Sequence, residues 1–321
     1  MQPLSDHCLA QLPATVAAVT KNIVRLRTKA LVAALIGGAA FWFLTRPDYL
    51  DRSAAFDQPG DAVHGAQVFA IGGCASCHIA KDAKGDDRLR LGGGQEFATD
   101  FGTFVAPNIS PDIETGIGAW TAYEFSNAVM RGIGQRGQHL YPAFPYSSYA
   151  RMTVADALDL KAFMDTLPAV SQQNAGHDLP LPFQLRRGLG LWKLMFLNDD
   201  PVIDSLEERG RYLVEGPGHC AECHSPRNAL GGIDTNRWLA GAPNPDGKGR
   251  IPNITPHNDG TEGWSIEDIA FYLETGFTPE YDTAGASMVE VIENLSQISG
   301  DDRLAIARYL KSIPALPDAP K

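Results

Sequence analysis

One short pattern, two cysteines separated by two residues and followed at once by a histidine, occurs twice in this chain. It reads Cys74-Ala75-Ser76-Cys77-His78 and then Cys220-Ala221-Glu222-Cys223-His224. Both copies sit inside a much longer repeat, and a repeat of that length constrains architecture more than composition does. A short helical stretch carrying a glycine and an aromatic precedes each pattern: Gly65 with Phe69, then Gly210 with Tyr212. After each comes a turn, Pro107-Asn108-Ile109-Ser110-Pro111 or Pro252-Asn253-Ile254-Thr255-Pro256, and then a tryptophan, Trp120 or Trp264. A helix start follows directly, Thr121-x-x-Glu124 and Ser265-x-x-Asp268, where a hydroxyl and an acid three residues on satisfy backbone N–H groups that a helix start leaves free. Those helices run out at Gly132 and Gly276. A last helix opens at Thr153-x-x-Asp156 and Ser299-x-x-Asp302. It presents Leu160 with Phe163, or Ile306 with Tyr309, on one face and stops before Pro168 or Pro314.

The expected fold is therefore all-α: two tandem copies of one small helical module, residues 57–170 and 204–316, joined by a linker over 171–203. The 32 glycines and 22 prolines point to long ordered loops between short helices, and no stretch alternates strongly enough for a large sheet. Within the linker, Pro180 and Pro182 precede an apolar run over 189–197. That run is short and contains Lys193, so it reads as packing between the modules rather than as a membrane contact.

Two thiols at this spacing can add to the two vinyl groups on one edge of a porphyrin, and the next residue, histidine, is then carried under the ring to offer a nitrogen to iron. Cys74, Cys77, Cys220 and Cys223 are the expected attachment points of two haem c groups, with His78 and His224 as iron ligands. A zinc site would need the two clusters to converge on four ligands, whereas each cluster here has its own complete module. A thioredoxin-like pair would need a βαβ setting, which the repeat does not offer. With five cysteines in 321 residues, a disulfide scaffold is not expected.

The N-terminal part carries a different signal. Residues 30–44 are uncharged and mostly apolar, with basic residues before them and Arg46-Pro47-Asp48 after. Fifteen helical residues span roughly 22 Å, short of a bilayer core of about 30 Å. Lys29 and Arg46 can snorkel and Trp42 can sit at the interface, so residues 29–46 are read as a single membrane anchor. The basic residues before it place 1–28 in the cytoplasm and the modules in the periplasm of a bacterial cell. The alternative is a signal helix cut near Gly38-Ala39-Ala40, which leaves a soluble periplasmic protein. Cys8 lies before this segment. The net charge is −11; the first 29 residues carry +3, so the remainder carries −14. Such a body argues against nucleic acid as a partner and permits docking to a basic protein surface.

From residue 57 to 316 the chain resembles a dihaem cytochrome c built of two class I cytochrome c domains. Pro-Asn-Ile-Ser-Pro and Tyr141-Pro-Ala-Phe-Pro-Tyr146 further resemble the membrane-anchored cytochrome c subunits of bacterial alcohol, gluconate and related dehydrogenases. The resemblance implies a methionine on the second face of each iron, before the last helix. Met152 and Met288 are the choices; His139 and His257 are the alternative ligands. Met130 and Met164 read as core, Met195 as packing in the linker, His64 as an exposed helix residue, and His219 as too close to Cys220 to cross the ring. Pro107 and Pro252 are expected to offer a backbone carbonyl to the axial histidine N–H. The implied role is electron transfer rather than catalysis. A periplasmic or membrane-bound dehydrogenase would be the donor, and a quinone, another cytochrome or a terminal oxidase of the respiratory chain the acceptor. The alternative is a peroxidase-like dihaem enzyme with one haem open to substrate.

Overall fold

In the computed structural model, residues 14–79, 85–244 and 249–320 are described; Cys8 and the rest of residues 1–13 lie outside them. The chain divides into two units, Met1–Arg46 and Pro47–Lys321. Among its described residues the first holds one helix, α1 (Ala14–Leu44). Its apolar part, Asn22–Leu44, runs for 23 residues with every side chain exposed. At a rise of ~1.5 Å per residue this spans ~35 Å, enough for a bilayer core. The apolar run alone was too short; the helix gains its length by continuing back through Arg27 and Arg25, because arginine and lysine are good helix formers. Pro47 ends it by disfavouring the helical conformation at Arg46.

The second unit contains both copies of the repeat. Copy one contributes α2 (Ala62–Ile71), α3 (Cys74–His78), a hairpin of β1 (Glu96–Thr99) and β2 (Gly102–Val105), α4 (Ala122–Arg131), α5 (Tyr146–Tyr149) and α6 (Val154–Met164). The helix α7 (Leu189–Phe196) follows. Copy two supplies α8 (Glu208–Glu215), α9 (Ala221–His224), β3 (Ala242–Pro243) and β4 (Arg250–Ile251), α10 (Ile266–Thr275), α11 (Met288–Leu295) and α12 (Gly300–Ser312). The all-α expectation is thus corrected to helix-rich with two small antiparallel ladders, Glu96 opposite Val105 and Ala242 opposite Ile251. Strands of two to four residues are too short to display an alternating pattern.

The sequence-level helix signals act as expected. Both capping boxes form, Thr121 with Glu124 and Ser265 with Asp268, and Gly132 and Gly276 close α4 and α10 with φ of 59° and 79°, the left-handed region where a side chain is disfavoured. Thr153 and Ser299 cap α6 and α12 through the N–H groups of Asp156 and Asp302. Phe69, Leu160, Met130 and Met164 enter one hydrophobic cluster, and Leu213, Ile306, Tyr309 and Leu310 another.

The glycine of the first helix in each copy has a tertiary cause. A Cβ on Gly65 would lie 1.9 Å from the Asp159 carbonyl oxygen of α6, and one on Gly210 would lie 2.0 Å from that of Ala305 in α12. The helices cross with backbone against backbone. Gly65→Ala is therefore expected to destabilise the protein by about 3 kcal/mol, the upper range for overpacking, read as a lower urea midpoint. An unchanged midpoint would mean the helices do not approach so closely.

Buried asparagines anchor the repeated turns. Asn108 donates to the Val170 carbonyl at 2.6 Å and accepts from Ser110 N–H at 2.9 Å. Asn253 does the same with Leu316 and Thr255 at 2.7 and 2.8 Å. Each turn is thereby stitched to the chain that leaves the last helix of its copy.

The segment 189–197 packs by one face only. Trp192 is buried, donates to the Leu230 carbonyl at 2.9 Å and meets the Tyr146 ring at 6.1 Å. Lys193 caps the C-terminal end of α4 by donating to the carbonyls of Arg131 and Gly132 at 2.5 and 2.7 Å. Met195, expected to pack, is 57% exposed, because the buried side of α7 is centred between Trp192 and Lys193 and Met195 lies roughly 110° round the helix from that centre. Glu215, fully buried, accepts from Tyr309 Oη at 2.6 Å and from the N–H groups of Val202 and Ile203 at 2.7 and 3.0 Å, so its charge is hydrogen-bonded as burial requires.

Candidate functional site

Each attachment segment is one helical turn placed by the loop that follows it. The His78 carbonyl accepts from Gly93 N–H at 2.6 Å and the His224 carbonyl from Gly241 N–H at 2.8 Å. The loops then return through Leu91 and Leu239, whose carbonyls accept from Ile109 and Ile254 at 3.0 Å each. This brings the two proline carbonyls over the histidines. His78 Nδ1 donates to the Pro107 carbonyl at 2.9 Å, and His224 Nδ1 donates to that of Pro252 at 2.7 Å. A carbonyl can only accept, so the proton resides on Nδ1 and the Nε2 lone pair is left for a metal. Burial lowers both histidines' pKa, the proline hydrogen bond opposing it, so burial favours the neutral imidazole that binds iron.

All four motif cysteines are free. Burial pushes the Cys74 and Cys220 thiols up to about 12, and each motif's second cysteine adds to this. Cys77 is pushed up to about 11 by burial first and then by Glu290 and Cys223. Thiols raised in this way lack the lowered pKa that marks a reactive redox cysteine. Nor do they converge on a common point: among the described residues, the metal-ligating atoms gathered within 4.8 Å are those of His64, Asp156 and Asp159. Neutral paired thiols followed by an imidazole with a free Nε2 fit covalent haem, twice over.

The two candidate methionines are not equivalent in the repeat. Met152 is 5% exposed, directly before the cap of α6, in the cluster that includes Ala75 and touches Cys74. Met288 is partly buried, opens α11 and packs on the cluster that holds Ala221 and touches Cys220. The residue in register with Met152, directly before the Ser299 cap, is Ile298, which is buried. Of the alternatives, His139 is buried beside Ile133 in an isolated bridge, and His257 Nδ1 accepts from Asp259 N–H at 3.1 Å within its own turn. His64 is not a free surface residue: its Nδ1 donates to Asp159 at 2.8 Å, because the α2–α6 crossing brings the acid against it.

Sequence reasoning missed the contacts of three residues. His219, at φ 38°, donates through Nε2 to the Gly72 carbonyl of copy one at 3.2 Å. Tyr149 donates to the same oxygen at 2.8 Å. Glu222 accepts from Ser147 and Ser148. The signal for Glu222 was present, as an acid inside the second Cys-x-x-Cys where the first has a serine.

The fold and the paired sites fit the class of c-type cytochromes, in which cysteine pairs hold haem. The cytochrome c family pattern matches residues 62–168. The chain is 51% identical over 296 residues to a dihaem c-type cytochrome of Cereibacter sphaeroides, covering 91% of this chain and 99% of that one. It is 35% identical to the gluconate 2-dehydrogenase cytochrome c subunit of Pantoea cypripedii, over 89% of this chain and 65% of the relative. It is also 35% identical to the cytochrome c subunit of a quinone alcohol dehydrogenase of Gluconobacter oxydans, over 79% and 55%. The chain belongs to the dihaem c-type cytochromes: its cofactors are two haem c groups and its chemistry is haem-based electron transfer.

Proposed function

We propose that this chain is the electron-relay partner of a dehydrogenase, taking electrons at one of its two cytochrome domains (57–170 and 204–316) and releasing them from the other to the respiratory chain. In this reading Cys74 with Cys77 and Cys220 with Cys223 hold the two haems, His78 and Met152 ligate the first iron, and His224 and Met288 the second. Haem c supplies a one-electron couple at each site. The chain's residues orient the imidazoles through Pro107 and Pro252, exclude water by the two clusters, and close each second face with an uncharged thioether, which favours the reduced state. The observation that carries the reading is the duplication of the cysteine pair, the histidine and its proline carbonyl, with histidine-to-carbonyl distances of 2.9 and 2.7 Å. The dehydrogenase partner is supported by the names of the relatives, several of which are dehydrogenase cytochrome subunits. The length of α1 supports a membrane anchor, since 23 apolar-segment residues suffice to span a bilayer, and the basic residues before it support a body on the periplasmic side.

Carbon monoxide added to the fully reduced protein tests the non-catalytic reading. Unchanged absorption bands are expected, since both irons are closed by protein ligands. A change in half of the signal would mean that one site is open, and the relay reading would give way to a dihaem enzyme.

A further inference from the structure

Each attachment segment touches the other copy. The third residue of each Cys-x-x-Cys reaches into the other copy. Ser76 accepts from the Asn294 side-chain amide of α11 at 3.0 Å. Glu222, in the same place of the second motif, accepts from Ser147 Oγ and Ser148 Oγ of copy one at 3.0 and 2.9 Å. Between these two contacts lies the Gly72 carbonyl, held by Tyr149 and His219, whose rings meet edge to face at 5.5 Å. The copies lie in ordinary contact here: a Cβ on Gly73 would stand 3.6 Å from the Asn294 amide, and one on Gly218 would stand 3.5 Å from Ile71.

The two contacts differ in one respect, which is charge. Ser76 is neutral; Glu222 is a carboxylate with its side chain only 10% exposed. Its second oxygen pairs with Arg227, whose side chain is 35% exposed and is held by the Gly231 carbonyl at 2.8 Å. The field of Glu222 reaches both copies. Behind burial, the larger cause, it raises the pKa of Tyr146 in the other copy. A buried charge acts over longer range than a solvated one, because little water screens it.

We propose that Glu222 is a charge shared by the two haem sites: it pins the second attachment segment to the first copy and lowers the reduction potential of both. This rests on the haem reading above. A negative charge nearby stabilises the oxidised, more positive iron, and net charge and burial are among the levers by which a protein sets a haem potential. Arg227 opposes it, and its greater exposure weakens that opposition through solvent screening.

The test is a spectroelectrochemical titration of the full chain with Glu222→Gln and with Arg227→Gln. Glu222→Gln is expected to raise both midpoints, each by about tenfold in the reduction equilibrium, which is ~59 mV for a one-electron couple. Arg227→Gln is expected to lower both. A shift confined to one site in Glu222→Gln, or shifts of the same sign in the two variants, would overturn the proposal, since loosened packing moves both variants alike. If Glu222→Gln does not accumulate, Arg227→Gln decides alone: lowered midpoints support the proposal and unmoved ones refute it. Covalent-haem absorption in the same samples separates the two readings. Haem bands with unmoved potentials sink the role of Glu222; no haem on the unsubstituted chain sinks the reading it rests on.

Discussion

Replacing both Cys220 and Cys223 by alanine is expected to remove half of the covalently bound haem and leave the other half in place. Each copy carries its own thiols, its own histidine and its own proline carbonyl, and the pairs His78–Pro107 and His224–Pro252 lie within one copy each. Attachment at one site therefore draws on nothing at the other that the substitution deletes. The reciprocal change, Cys74 and Cys77 to alanine, has the same expected result. Haem retained after denaturing extraction, measured by its reduced absorption band, reads the outcome directly. Loss of all haem from either variant would show that the copies mature only together, an outcome for which the contacts of Glu222 and Asn294 provide a route.

The second large effect is expected at Met152. Met152→Ala should lower the potential of one haem and open it to carbon monoxide, so that half of the reduced spectrum responds. Because Met152 is 5% exposed in a packed cluster, truncation also removes buried volume, at about 2–5 kcal/mol. Met152→Leu separates the two roles. It retains most of the volume and discards the sulfur, so a ligand role predicts that leucine fails to restore the potential. A potential restored by leucine would assign Met152 to packing. The same pair of substitutions at Met288 tests copy two, where the position directly before the last cap is taken by Ile298 and the sulfur must come from the start of α11.

These expectations stand on residues that differ in how far sequence alone could place them. Thr121, Glu124, Ser265 and Asp268 were legible because a capping box is closed within four residues. The glycines after α4 and α10 were legible because a left-handed helix end needs no distant partner. Cys-x-x-Cys-His was legible because its spacing answers the width of a porphyrin edge. The two ladders were not, since two to four residues display no period. The length of α1 was underestimated because apolar content was counted and helix propensity was not. The exposure of Met195 was misjudged because the run 189–197 does not announce which of its faces meets Tyr146 and Leu230.

From sequence alone came the two modules as an expectation, their helix starts and stops, and the thiol and imidazole groups offered to two haems. All of these depend on neighbours a few residues apart, or on one motif repeated. Tertiary structure decided why Gly65 and Gly210 must be glycine, that Glu222 reaches Ser147 and Ser148 of copy one, and that Asn294 reaches the first attachment segment. Glu222 meets Ser148 across 74 residues and Asn294 meets Ser76 across 218. Contacts of that separation are set by how packed helices cross, and no local window of sequence contains both partners.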